Sequence, residues 1–135
     1  YMRYEDWPDR LQHYMDSVVD MSFRYGKHDC CMFAGNAIKS ITGVDVLEHL
    51  NYRQELKDYQ KHKRMGVSIL VEQILQKYMF KEVPVKLAGR GDVVLCDGDN
   101  GITAGVCMGS YVFLPGKSGL TTTSLLDGKR AWRIE

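Results

Sequence analysis

At 135 residues the chain is long enough for one domain with one hydrophobic core. Its 44% apolar and 26% charged content is that of a soluble globular protein, and a formal net charge of +1 gives no whole-chain electrostatic case for a nucleic-acid partner. The longest apolar runs, such as Val93–Cys96 and Tyr111–Leu114, are far too short to cross a membrane, so membrane insertion is not expected.

The N-terminus, YMRYEDWPDR, is charged and aromatic and lacks the apolar core of a secretory signal. Pro8 then marks a helix start, and Leu11, Tyr14, Met15, Val18 and Met21 recur at helical spacing behind it. FRYGKHD reads as a connecting turn. From Cys30 the apolar positions are Cys30, Phe33, Ala34, Ala37, Ile38 and Ile41, the stripe of a helix packed on a core, and Gly43 ends it. This stripe predicts that Cys30, Phe33, Ala34, Ala37 and Ile38 are buried against the later strands, with Val93, Leu95 and Val106 among their neighbours.

NYRQELKDYQKHKRMG keeps Tyr52, Leu56 and Tyr59 on one face and reads as a solvated, locally basic helix. VSILVEQILQKYM is a further amphipathic helix. Beyond it the pattern changes to short apolar runs, Asp92–Cys96, Ile102–Met108, Tyr111–Leu114, Gly119–Leu125 and Ala131–Ile134, with turn signals at DGDNG and PGKSG. The prediction is an α+β domain over 1–135: helices over about 1–80, then an antiparallel meander, a small sheet or barrel, over about 90–135.

The four cysteines stand at 30, 31, 96 and 107. Adjacent cysteines rarely pair, and no C-x-x-C spacing is present for zinc. Reduced thiols, synthesis in a cytosol, and no metal or cofactor are expected. A Cys96–Cys107 bridge between neighbouring strands is the alternative.

Asp29 is a good N-cap, which sets Cys30 at the first helical position. Unpaired backbone N–H groups and the positive end of the helix dipole act on a thiol there and favour the thiolate. That makes Cys30 a candidate nucleophile. The plainer alternative is a small buried hydrophobe at the head of an apolar stripe. Cys31 sits one step round the helix, beside the stripe.

HDCCMF resembles the Asp-Cys-Ser-Gly-Phe signature of the NlpC-type papain-like cell-wall peptidases, with Asp29, Cys30 and Phe33 matched and Cys31 and Met32 in place of Ser and Gly. GRGDVVLCDGDNGITAGVCMGSYVFL resembles that family's second block, on Gly91, Asp92, Val93, Val94, Gly105, Val106 and Gly109. The whole chain also resembles a family of small proteins encoded near phage and prophage tail genes. The shared blocks are Trp7–Leu11, Gly26–Phe33, Thr42–Gly43, Arg90–Val94 and Ala131–Arg133. These resemblances imply a papain-like, NlpC-type fold with the Cys30 helix packed on the sheet. They imply a tail or tail-tip component, made in a bacterial host cytoplasm and carried in the virion. Tail proteins are the implied partners, with host peptidoglycan as a second candidate.

Papain-like catalysis needs a base beside the thiol. In the NlpC pattern a histidine supplies it, and that position falls on Thr103, which cannot do general-base work near neutral pH. His13, His49 and His62 read as surface residues. His28, two residues before Cys30, is the remaining candidate base. The expectation is therefore a peptidase-like fold that is catalytically impaired, in which burial at least matches the helix terminus in setting the Cys30 pKa. The alternative is an active peptidoglycan endopeptidase with Cys30 as nucleophile.

Overall fold

The computed structural model describes residues 1–48, 66–98 and 101–135. Among these residues it has three α-helices, α1 (Trp7–Val18), α2 (Cys30–Thr42) and α3 (Gly66–Lys77). Six strands follow: β1 (Lys81–Val83), β2 (Val93–Gly98), β3 (Gly101–Cys107), β4 (Tyr111–Gly116), β5 (Gly119–Ser124) and β6 (Gly128–Arg133). Residues 51–65 of the predicted basic helix, with Tyr52, Leu56, Tyr59 and His62, and the predicted surface residue His49 lie outside the described residues.

Each helix follows from its apolar period. α1 opens with Pro8 in its first turn, where the missing N–H costs nothing, and buries Leu11, Met15 and Val18. Met21 lies past the helix end and is exposed, so the stripe is one step shorter than predicted. α2 buries the whole predicted stripe, and Cys31 with it. Gly43 ends α2 in the left-handed region at φ 79°, its N–H donating to the Lys39 carbonyl. A side chain there would meet the Tyr4 ring as well as backbone strain.

The sheet is antiparallel throughout, in the order β1-β6-β2-β3-β4-β5. The predicted meander holds for β2 through β5. β6 does not extend it: it returns to the far side of β2 and carries the short β1 on its outer edge. Leu125, predicted as strand, belongs instead to a 3-10 turn at Leu125–Asp127.

Side chains alternate between two apolar layers, as the pleat requires. Val93, Leu95, Ala104, Val106, Trp132 and Ile134 face the helices and join the α2 stripe in one core. This is the burial predicted for Cys30, Phe33, Ala34, Ala37 and Ile38. Val94, Cys96, Cys107, Val112, Leu114 and Ala131 face the other way and are covered by Val85, Ala88 and Leu125.

Charged groups tie the pieces together. Asp92, 1% exposed, accepts from the Arg3 guanidinium at 2.9 Å, the Ile134 N–H at 3.0 Å and the Gly89 N–H at 2.8 Å. It joins the N-terminal segment, the turn before β2 and the end of β6. Arg130 on β6 holds Glu82 of β1 with two hydrogen bonds of 2.8 Å and reaches Glu72 on α3. Its guanidinium lies over the Trp132 ring.

Candidate functional site

The start of α2 is built by a tight turn. Arg24 and His28 exchange backbone hydrogen bonds of 3.0 and 2.8 Å, closing the loop over Gly26, which takes φ 77°. Asp29 then caps the helix with both carboxylate oxygens occupied: one accepts from the Met32 N–H at 2.9 Å, the other from the Gly26 N–H at 2.8 Å. The cap predicted from sequence is thus formed, and it fixes the preceding turn as well as the helix.

Cys30 lies in the first helical turn and is only 8% exposed, its side chain turned into the core. The Cys31 thiol and the backbone N–H groups of Ala104 and Cys31 act on its sulfur. Together they outweigh burial and the nearby Asp29 carboxylate, and hold the Cys30 thiol below its ordinary range. Burial does outrank the one helix-start N–H that acts on the sulfur, that of Cys31, but the expectation that burial would set the thiol is corrected. It weighed only the helix dipole, whereas the sulfur also receives a thiol and a strand amide.

Ala104 can supply that amide because β3 and β4 part company. Their pairing covers Val106↔Phe113 and Cys107↔Val112, while β3 begins further back at Gly101. Cys30 packs where β3 has no partner from β4. This contact was not legible in the sequence, since it depends on where two strands separate.

The residue expected at the histidine position is not beside the sulfur at all. Thr103 stands opposite Cys96 on β2, and residues directly opposite in an antiparallel pair share a face. Cys96 belongs to the layer away from the helices, so Thr103 does too. Ala104, its neighbour, faces Cys30. A histidine substituted at Thr103 would point away from the thiol.

His28 does not pair with Cys30: no hydrogen bond joins them, and the forces on the Cys30 thiol from the described residues include no imidazole. His28 is 3% exposed, and its Nε2 has no hydrogen-bond partner among the described residues. Its ring meets Phe33 edge to face, with centroids 6.0 Å apart. His28 precedes the cap and Phe33 is the fourth helical residue, which is the spacing of a hydrophobic staple. That spacing was present in the sequence and identifies the role. Burial lowers the His28 pKa against the pull of Asp29. Phe33 is held from its other side by Tyr14 of α1, stacked at 5.9 Å, whose hydroxyl donates to the Phe33 carbonyl at 3.0 Å. His13 is on the exposed face of α1.

The remaining thiols are apart. Cys96 pairs with Thr103 and Cys107 with Val112, four residues out of register, so the alternative Cys96–Cys107 bridge does not form. Burial pushes the Cys96 thiol up to about 11. Among the described residues no group of three or more His, Cys, Asp or Glu side chains converges on a metal position, and no helix is long and apolar enough to cross a membrane. A small apolar cavity of about 20 Å³ lies between α2 and α3, lined by Cys31, Ala34, Ile38, Val71 and Leu75 among others.

Fold and site together define an α+β protein in which a capped helix presents a buried cysteine to an antiparallel sheet. The chain belongs to the DUF6950 family, a domain of unknown function, whose match spans residues 2–134. No curated protein matches the chain significantly.

Proposed function

We propose that this chain is a phage or prophage tail component, at or near the tail tip, in which a papain-like, NlpC-type fold serves assembly or binding rather than hydrolysis. The observation that carries the non-hydrolytic part is the state of Cys30. The residue is 8% exposed with its side chain in the core, Cys31 and the Ala104 N–H act on its sulfur, and no imidazole stands among the described groups that do so. A papain-like nucleophile needs the opposite arrangement, an accessible sulfur beside a base. The tail assignment is supported by the motif blocks at Trp7–Leu11, Gly26–Phe33, Arg90–Val94 and Ala131–Arg133. Mass spectrometry of intact particles should detect the chain. If it is absent from particles yet needed to build them, it is an assembly factor. If it is neither present nor needed, the reading fails.

One observation favours the second reading, a thiol endopeptidase acting on peptidoglycan: the Cys30 thiol is held below its ordinary range. Purified chain incubated with cell-wall sacculi should release no soluble fragments. Release that is abolished by Cys30→Ala would establish the hydrolase.

A further inference from the structure

We propose that the His28–Phe33 staple is an acid-sensitive latch: protonating His28 frees the turn ahead of α2 and uncovers the thiols of Cys30 and Cys31. The inference concerns access to the Cys30 sulfur, but it does not depend on whether that sulfur is catalytic or where the protein resides.

The imidazole has a definite structural task. At the position before the cap, a ring packed on the fourth helical residue fixes the angle at which the chain enters the helix. A phenyl or leucine side chain would do this without titrating. In this chain the ring is an imidazole, 3% exposed, with Nε2 buried and unpartnered among the described residues. A neutral imidazole tolerates this at modest cost. The imidazolium carries a second N–H donor, and at Nε2 it has nothing to donate to, so the charged form is strongly disfavoured where the ring now sits.

The surroundings offer no relief without movement. On α2 the ring faces Phe33, an apolar edge. Behind Phe33, α1 contributes Tyr14, whose phenol is pushed up by burial and stays neutral throughout the acidic and neutral range. In the turn itself Arg24 lies across the backbone bridge, and Arg24 and Lys27 are both exposed cations. Among the described residues Asp29 is the one carboxylate acting on the imidazole, and its oxygens hold the cap and the Gly26 N–H rather than the buried Nε2. Proton uptake is therefore met by outward rotation of the turn.

The turn is built to move as a unit. Two backbone bonds between Arg24 and His28 close it, and Asp29 anchors it at one end. Arg24, Tyr25 and Lys27 are all exposed, so their motion breaks no core packing. What it exposes is the first turn of α2, where Cys30 and Cys31 are 8% and 5% exposed in the closed form.

The test is labelling of the full chain by 4,4′-dithiodipyridine from pH 7.5 to 5.0, mapped by peptide mass spectrometry. Cys96 and Cys107, buried in the other layer of the sheet, serve as internal references. The rate at Cys30 and Cys31 is divided by the rate of the same residues in His28→Phe at each pH, which cancels the intrinsic chemistry of the thiol. The expected result is a ratio that rises up to about tenfold per pH unit below ~6.5, as one proton is taken up on opening. His28→Leu replaces His28→Phe should the latter not fold. A ratio that stays flat to pH 5.0 overturns the latch. So does equal acceleration of all four thiols, which would mean global unfolding rather than release of one turn.

Discussion

Replacing Asp92 should be among the most damaging single changes in this protein. The carboxylate is 1% exposed and accepts three short hydrogen bonds, from Arg3, Ile134 and Gly89. Arg133 approaches it at 3.8 Å but is 40% exposed and adds little. Asp92→Ala leaves the Arg3 guanidinium, only 14% exposed, without its carboxylate, and strands two backbone N–H groups. Breaking a buried pair from one side costs about 3–5 kcal/mol, a large share of the roughly 5–15 kcal/mol that holds a domain of this size folded. Asp92→Asn separates charge from geometry. One oxygen can still accept from Arg3 and Ile134, but the amide nitrogen then faces the Gly89 N–H, donor against donor. A loss of about 1.5–3 kcal/mol follows. Urea unfolding followed by circular dichroism reads both. An Asp92→Ala loss below about 1 kcal/mol would refute the reasoning and place the termini and the 89–92 turn under separate control. In a double-mutant cycle with Arg3→Met the two losses should be strongly non-additive, since they report one contact.

Phe33→Ala should cost about 3–5 kcal/mol, because the ring is fully buried and contacts both Tyr14 and His28; a measured loss under about 1 kcal/mol would mean the packing of α2 is misassigned. Two thiols should bend the pH profile of stability in opposite directions. Cys30 is an acid with a lowered folded pKa, so its contribution is present above the unfolded thiol value and is lost as pH falls through the folded one; Cys30→Ala should flatten that rise in urea midpoints measured up to pH 9. Cys96 is an acid raised to about 11, so its contribution is present below the unfolded value and is lost as pH climbs through that range; Cys96→Ala should stay level there while the wild type declines. Native Cys96 should also resist iodoacetamide at pH 9, and rapid labelling would contradict its burial.

What the sequence made legible was whatever depends on local period or local capping. The stripe from Cys30 to Ile41, the Asp29 cap and the stop at Gly43 are all decided within a dozen residues, and each is present. The strands β2 to β5 were marked by their own alternation and by the glycines between them. β1 was missed because Lys81–Val83 is short, polar and held on one side only, by β6. The position of β6 was missed because pairing with β2 or β5 leaves the same apolar pattern in Ala131–Ile134; the choice is made by contacts far away in sequence, Asp92 to Ile134 among them. At the site, the identity of the helix and its cysteine could be read, but not the company the sulfur keeps. The error at Thr103 was one of parity. In ITAGVC the apolar Ile102, Ala104 and Val106 already mark the core face and leave Thr103 on the other, as the pairing with Cys96 then shows. A motif aligned by letter ignores that alternation, and a shift of one residue sends a side chain through to the opposite surface.

The interior position of β6 governs the order in which this protein can be assembled. The strand that completes the sheet is the last one along the chain, and it inserts between β1 and β2 rather than adding to an edge. Until it arrives, the β2–β5 hairpins can form locally and quickly, but β2 presents an open row of amides and carbonyls, and both Val94 and the Trp132 site lack cover. Closing the sheet then joins residues far apart in sequence, the slow kind of step in folding. A chain still emerging from the ribosome would hold that exposed strand until Gly128–Arg133 had been made and released, which is when it is most open to pairing with a neighbour. Expression yield and refolding rate should therefore respond most sharply to changes in Gly128–Arg133, even where the finished protein tolerates them.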